Sequence, residues 1–319
     1  MEQPVLADHA GRVGARQSAQ RASPGGRSRG RARRVRPGKA LAPYLLSLPA
    51  GLWLLILFVV PLVVMLSLSL QSCNNATGAC VMTWHWAEFG QQISLYHSQF
   101  LNSFYFAGAA TVIDVIVSFP IAYWIAFYGG NKKNFFLLML LVPFFVSFVI
   151  RTVVWNFILS DNGVVLGGLK HAHLLPQSFH VLATGYAVVA GLAYNYLPFT
   201  ALPLYVAIER IDKRVLDAAY DLYATRRQAF TKIILPLTVP GLFAAFLLTF
   251  IPALGDYVNQ QVLGGTNDTM IGTIIQNAFL QNLDYAGGSA LSAVLLAVAL
   301  IGIFAYARLL GRASIEEYL

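Results

Sequence analysis

ERIDKRVLDAAYDLYATRRQAFTKIILPLTVPG, residues 209–241, is a charged island set between two long apolar runs. Counted from Ile211, the apolar or small residues Ile211, Val215, Ala218, Ala219 and Leu222 fall at i, i+4, i+7, i+8 and i+11, one stripe of an amphipathic helix. Asp212 stands where an N-cap accepts the first free amides of that helix. Thr225, with Gln228 three residues later, makes a capping-box pattern and announces a second short helix, which Pro236 is expected to stop. Two short helices joined by a turn and lying against the inner surface of a membrane suit docking. Ala218 and Ala219 carry little bulk, so a partner can approach the backbone closely there.

Outward from the island the composition is that of a membrane protein. Of 319 residues, 57% are hydrophobic and 11% charged, and the mean hydropathy is +0.62. A hydrocarbon layer about 30 Å thick takes about 20 residues of helix to cross. Six apolar segments qualify, near Leu45–Leu70, Asn102–Phe127, Phe135–Leu159, Val181–Ile208, Val239–Leu254 and Ser289–Leu310, the fifth being the shortest. The expected fold is therefore all-α with six transmembrane helices. The first run is too long for the apolar region of a signal peptide and lacks a well-placed small-residue cleavage site, so it reads as a retained span. Pro61 within it predicts a kink, because neighbouring helices can satisfy the freed carbonyl.

The formal net charge of +8 does not indicate a nucleic-acid partner, because the excess sits in one leading segment. Residues 1–40 hold a dense run of Arg with Gly, Ser, Ala and Pro and no apolar period, which reads as a disordered arm preceding a membrane domain over 41–319. Lys and Arg resist translocation, so the arm is expected to be cytoplasmic. Lys132 and Lys133, then Lys213, Arg214, Arg226, Arg227 and Lys232, and finally Arg308 and Arg312 fall on the same side if six crossings leave both termini inside. Cys73 and Cys80 then lie outside, in CNNATGAC, where either a disulfide or two free thiols is compatible with the compartment. Trp84 and Trp86 read as water-boundary anchors, and His171, His173 and His180 lack the accompanying ligands a metal needs, so no metal site is expected.

Polar groups within the apolar runs are the candidates for a solute path. Asp114 lies about 18 Å into the second span at about 1.5 Å per residue, where an ionised carboxylate costs at least about 2.5–3.5 kcal/mol. It must face the bundle interior, find a partner or be protonated, and a helix-to-helix hydrogen bond is the alternative to a site. For Arg151, in SFVIRTVVWNFILSDNG, snorkelling outward to a local partner is one plausible reading, and Asp161 stands close to the boundary beyond it. Trp155 in the same segment offers an aromatic face to a cation, or packs. Asn195, Tyr196 and Pro198 suggest a bent fourth helix with polar groups turned inward. Asp256, beside Tyr257, is a carboxylate next to a ring at the outer end of the fifth span, which suits an ammonium ligand and also suits a plain interface residue. Gly287, Gly288, Ser289 and Ser292 open the last span with small residues that permit close packing.

Asp217-Ala218-Ala219, three residues, position 223, then Ile234-x-Pro236 resembles the EAA coupling loop of ABC importer permeases, over 209–238. The family's Glu is here Asp217, and its loop Gly is here Tyr223, which would have to bear about 1–2 kcal/mol if the turn needs positive φ. The resemblance extends from about Ala42 to Leu310. Ser147–Gly163, the Tyr194–Phe199 run and the segments around Leu263–Gly265 and Met270–Gly272 are most similar to the putrescine and spermidine branch. The likeness implies the type I importer permease fold in a bacterial inner membrane, a second homologous permease subunit, two ATP-binding subunits and an extracytoplasmic substrate-binding protein. It implies ATPase-coupling residues Asp217, Ala218, Ala219, Asp221, Leu222, Tyr223, Ala224, Leu235 and Pro236, with ATP and Mg held by the partner and no cofactor on this chain. On this reading Asp256, Tyr257, Asp114, Trp155, Asn195 and Tyr196 line a substrate path for a polyamine, or for another small solute of a related importer. No phosphate-binding loop and no HExxH or GxSxG motif occurs, so neither ATP binding of that kind nor these hydrolytic chemistries are expected of the chain itself. An ion-coupled carrier would need coupling-ion ligands at mid-membrane and an inverted repeat, and only Asp114 offers itself.

Overall fold

A computed structural model describes residues 37–74, 79–84 and 86–316, with the side chains of 37–47, 72–74, 79–80, 306 and 309–316 outside that description. The Arg-rich arm lies outside the described residues, apart from the start of the first helix. The chain divides into two units at Phe58 and Val59. The described part of the first is the leading portion of α1, Pro37–Ser69, a helix that continues through Pro61.

The second unit carries everything else. A short hairpin, β1 Gln71–Asn74 with β2 Ala79–Met82, pairs the backbone of Cys73 with that of Cys80. There follow α2 Ala87–Leu95, α3 His97–Tyr128, α4 Lys133–Leu141, α5 Phe148–Leu159, α6 Leu166–His171 and α7 Gly185–Glu209. The island becomes α8 Lys213–Asp221 and α9 Arg226–Ala229, and then come α10 Leu235–Leu254, α11 Val258–Leu263, α12 Ile271–Leu280 and α13 Tyr285–Glu316. Among the described residues, five helical stretches are long and apolar enough to cross a membrane, and Gly130–Phe145 with Phe148–Leu159 makes a sixth only as a pair bent by 86°. The third span, expected near Phe135–Leu159, is thus a broken one. The break has a local cause: Pro143 withholds an amide from the helix, and Val146 and Ser147 are extended. The fifth span is also corrected. It runs from Arg226 to Leu254 and is not the shortest, because Pro236 does not stop the helix. Phe230–Ile234 forms a π turn that leads into α10, and Pro236 falls in the first turn of α10, where its missing N–H is tolerated.

The core is the triangle of α3, α7 and α10. Small residues let these helices approach: Ala107, Ala110, Ala193 and Ala253 in one cluster, Ala122, Ala126 and Ala245 in another. Thr200 of α7 and Thr249 of α10 share a buried hydroxyl hydrogen bond of 2.6 Å. One end of the bundle is closed by Lys133, whose Nζ meets Glu209 at 2.7 and 2.8 Å. At the opposite end Ser103 accepts from the Ile271 amide at 2.8 Å and the Ala183 amide donates to Leu263 at 2.9 Å. α8 and α9 therefore lie at one end, and α11 and α12 at the other.

Candidate functional site

The island folds as its capping residues dictate. Asp212 Oδ1 accepts from the Arg214 amide at 2.9 Å, and Thr225 and Gln228 make both halves of the capping box. The turn between α8 and α9 is a Schellman motif. The Tyr223 amide donates to Tyr220 O at 2.9 Å, the Ala224 amide to Ala219 O at 3.0 Å, and Tyr223 itself sits at φ +60. A non-glycine residue thus occupies the left-handed position, with its side chain projecting almost wholly into solvent.

The expected apolar stripe is only partly the one that packs. Ile211 and Leu216 are buried and join Ala229 and Ile234 against Phe119, Tyr123 and Phe127 of α3. Val215, Ala218 and Leu222, by contrast, are exposed, as are Asp217, Asp221 and Pro236, while Leu235 is 38% exposed and Ala219 and Ala224 are half-buried. The elbow accordingly has an anchored face and a free one. It is joined to all three core helices: α7 runs into it, α10 leaves it, and α3 carries its anchors.

The polar residues predicted within the membrane separate into two groups. The first is a buried network at the far end. Asp256 is 6% exposed, and its Oδ2 accepts from Tyr196 Oη at 3.0 Å and Asn259 Nδ2 at 2.9 Å. Its Oδ1 accepts from the Asn259 amide at 2.9 Å. Asn195 Nδ2 donates to Asn259 Oδ1 and Thr152 Oγ1, both at 3.0 Å, tying α5, α7 and α11 together. Gly191 makes this possible, since a Cβ there would strike Leu263 and Asn259. Tyr257, placed beside Asp256 by sequence, is half-exposed and shares no hydrogen bond with it. Thr152 and Asn259 were not singled out in the sequence. The Asp-x-x-Asn spacing is itself a cap pattern that points to Asn259, whereas nothing local marks Thr152.

The second group lines a cavity of about 760 Å³ between α3, α5 and α7. Asp114 is fully buried, neither of its oxygens has a hydrogen-bond partner, and it lines this cavity together with Tyr105, Phe106, Trp155, Tyr194 and Asp268. Trp155 and Tyr194 meet edge to face at 5.4 Å. Asp114 has thus found no helix-to-helix hydrogen bond.

Arg151 and Asp161 do not pair. Asp161 instead takes Lys170 Nζ at 2.7 Å and His180 Nδ1 at 2.6 Å, and these two hydrogen bonds, Lys170 first, hold its carboxyl below the usual range. Arg151 does not snorkel; it is buried. The side chains of Cys73 and Cys80 lie outside the described residues.

Against known proteins, residues 93–314 match the model of the family described as binding-protein-dependent transport system inner membrane component. The spermidine/putrescine transport system permease protein PotB of Haemophilus influenzae is 35% identical over 214 residues, covering 67% of this chain and 75% of that protein. PotB of Escherichia coli is 35% identical over 201 residues, covering 63% and 73%. Among solved structures, a bacterial ABC transporter involved in the import of the acidic polysaccharide alginate aligns with TM-score 0.62 at 20% identity, over 85% of this chain and 96% of that one, which speaks to the fold alone.

Proposed function

The chain belongs to the family of binding-protein-dependent transport system inner membrane components, so it is a multi-pass inner-membrane permease subunit of an ABC importer, and from that premise we propose that its solute is a polyamine such as spermidine or putrescine. The observation that carries this is the Asp114 cavity, where a buried carboxylate without a partner faces five aromatic side chains, Tyr105, Phe106, Trp155, Tyr186 and Tyr194, and no cationic side chain. An alkylammonium supplies the missing charge, and the ring faces attract it further. The names of the PotB relatives support the same class. Asn195, Tyr196 and Asp256 act here by holding α5, α7 and α11 in register behind the path, with Tyr257 at its outer rim.

The elbow of α8 and α9, in this proposal, is the cytoplasmic handle. Val215, Ala218 and Leu222 present a free face to one of two ATP-binding subunits, which hold ATP and Mg. Asp217, Ala219, Asp221, Tyr223 and Ala224 complete that surface, and Leu235 and Pro236 carry it into α10. Closure of the ATPases displaces α8, and the anchors on Phe119, Tyr123 and Phe127 pass the displacement to α3 while α7 and α10 follow by direct connection. The solute, delivered by an extracytoplasmic binding protein, moves along a path shared with a second permease subunit, and both termini of this chain lie in the cytoplasm. The test is ATPase activity of the reconstituted complex. Binding protein loaded with spermidine or putrescine is expected to stimulate it; stimulation by another solute, with none by polyamines, contradicts the proposal.

A further inference from the structure

Arg151 stands one turn into α5, just after the 86° break. Its guanidinium lies over the Phe144 ring at 4.8 Å and near the Phe148 ring at 5.7 Å, the side chain is 94% removed from solvent at 6% exposure, and Nε and Nη1 have no hydrogen-bond partner. Two ring faces return only part of the hydration such a cation gives up. No acid of this chain supplies the rest, among the described residues. Asp256 is occupied by Tyr196 and Asn259, Asp161 by Lys170 and His180, and Asp114 lines the separate cavity.

The group lies in an open cleft of about 450 Å³ floored by Asn195 and Tyr196, and Asn195 Oδ1 is likewise unpartnered. Around it Phe145 is 82% exposed, with Val149 and Ile150 about half so. A desolvated Arg set in an apolar surround, with donors unfilled, has the anatomy of an interface hot spot lacking its counterpart. Lipid chains can cover the apolar rim but not satisfy the guanidinium.

We propose that the cleft over Arg151 is a carboxylate site, filled in the assembled transporter by an Asp or Glu side chain of the second permease subunit. The proposal rests on the reading of this chain as one of two permease subunits. The planar guanidinium offers a carboxylate two parallel N–H donors, and the resulting pair compensates the buried positive charge.

The test uses the tagged chain co-expressed with its complete set of partner subunits. Arg151→Gln is expected to lower recovery of the second permease subunit about tenfold, and Arg151→Glu to abolish it. Recovery with Arg151→Glu is expected to return when one acidic residue in the partner's membrane helices is replaced by Arg. Melting of the purified chain guards against misfolding: Arg151→Gln is expected to melt at or above the unmodified temperature, because an unpaired buried cation has been removed. Undiminished recovery with Arg151→Gln, or failure of every acid-to-Arg replacement to restore Arg151→Glu, overturns the proposal. So does glutamate competing with spermidine-stimulated ATPase activity in the unmodified transporter but not in Arg151→Gln, which would assign the carboxylate to the solute. If the unmodified chain recovers no second permease at all, the two-permease reading itself fails.

Discussion

Tyr196 Oη donates to Asp256 Oδ2 at 3.0 Å, joining the middle of α7 to the loop that follows α10 across 60 residues of sequence. Both partners are buried, so neither can exchange the other for water. Leaving a buried acceptor short of its donor costs about 1–3 kcal/mol. Tyr196→Phe is expected to destabilise the chain by that amount in denaturant titration in detergent. Asn259→Ala, which leaves the backbone donor but removes both the Asp256 and the Asn195 side-chain contacts, should cost more. A Tyr196→Phe chain as stable as the unmodified one would show that Asp256 does not depend on this donor.

Asp114 should show the opposite sign. Its unpartnered carboxyl is fully buried midway along α3, where an unsatisfied polar group costs about 1–3 kcal/mol. Asp114→Asn is accordingly expected to raise the melting temperature while lowering polyamine uptake at least tenfold. Lower stability together with normal uptake would mark Asp114 as a packing group.

At Tyr223 the backbone, not the side chain, sets the expectation. A left-handed residue other than glycine bears about 1–2 kcal/mol, and this side chain makes no compensating burial at 95% exposure. Tyr223→Gly should stabilise the chain by about 1 kcal/mol, and Tyr223→Val, β-branched, should destabilise it, both read from thermal melts. Equal melts for the three would mean that the turn relaxes away from the left-handed region.

The Asp161 pair gives a pH dependence. Its carboxyl is held below the ordinary value by the Lys170 and His180 hydrogen bonds, so the folded state binds its proton more weakly than the unfolded chain does. The resulting stability is fully present above about pH 3.9 and disappears as pH falls through the lower folded value. Asp161→Asn should therefore melt below the unmodified chain at neutral pH, and the two curves should converge in strong acid. A difference that persists unchanged at low pH would assign the effect to packing of Lys170.

What was legible in the sequence was what is local or compositional. Span number follows from apolar length, and the caps at Asp212 and Thr225 act within three residues, so both survive in the structure. Periodicity picks out an apolar stripe but not what will cover it. Val215 and Leu222 share a helical face that this chain leaves open, while Leu216, off that stripe, packs on α3. Pro143 and Pro236 illustrate the same limit in backbone terms: the first ends a helix, and the second follows a π turn that lets the helix continue. Asp256 was legible as a polar group near a span's end, but its partner was not, because Tyr196 reaches it only through the packing of α7 on α10 and α11. For Arg151, sequence leaves snorkelling open because long side chains often reach the interface, whereas the structure buries it just after the bend before α5.

If the elbow of α8 and α9 is the handle by which an ATP-binding subunit moves the bundle, that subunit is recovered with the tagged chain and the free face of α8 holds it. Ala218 is exposed, so Ala218→Trp is expected to leave the melt of the chain unchanged and to abolish recovery of the ATP-binding subunit. Undiminished recovery with Ala218→Trp, or a chain that purifies alone and drives uptake from an ion gradient in liposomes, would contradict it.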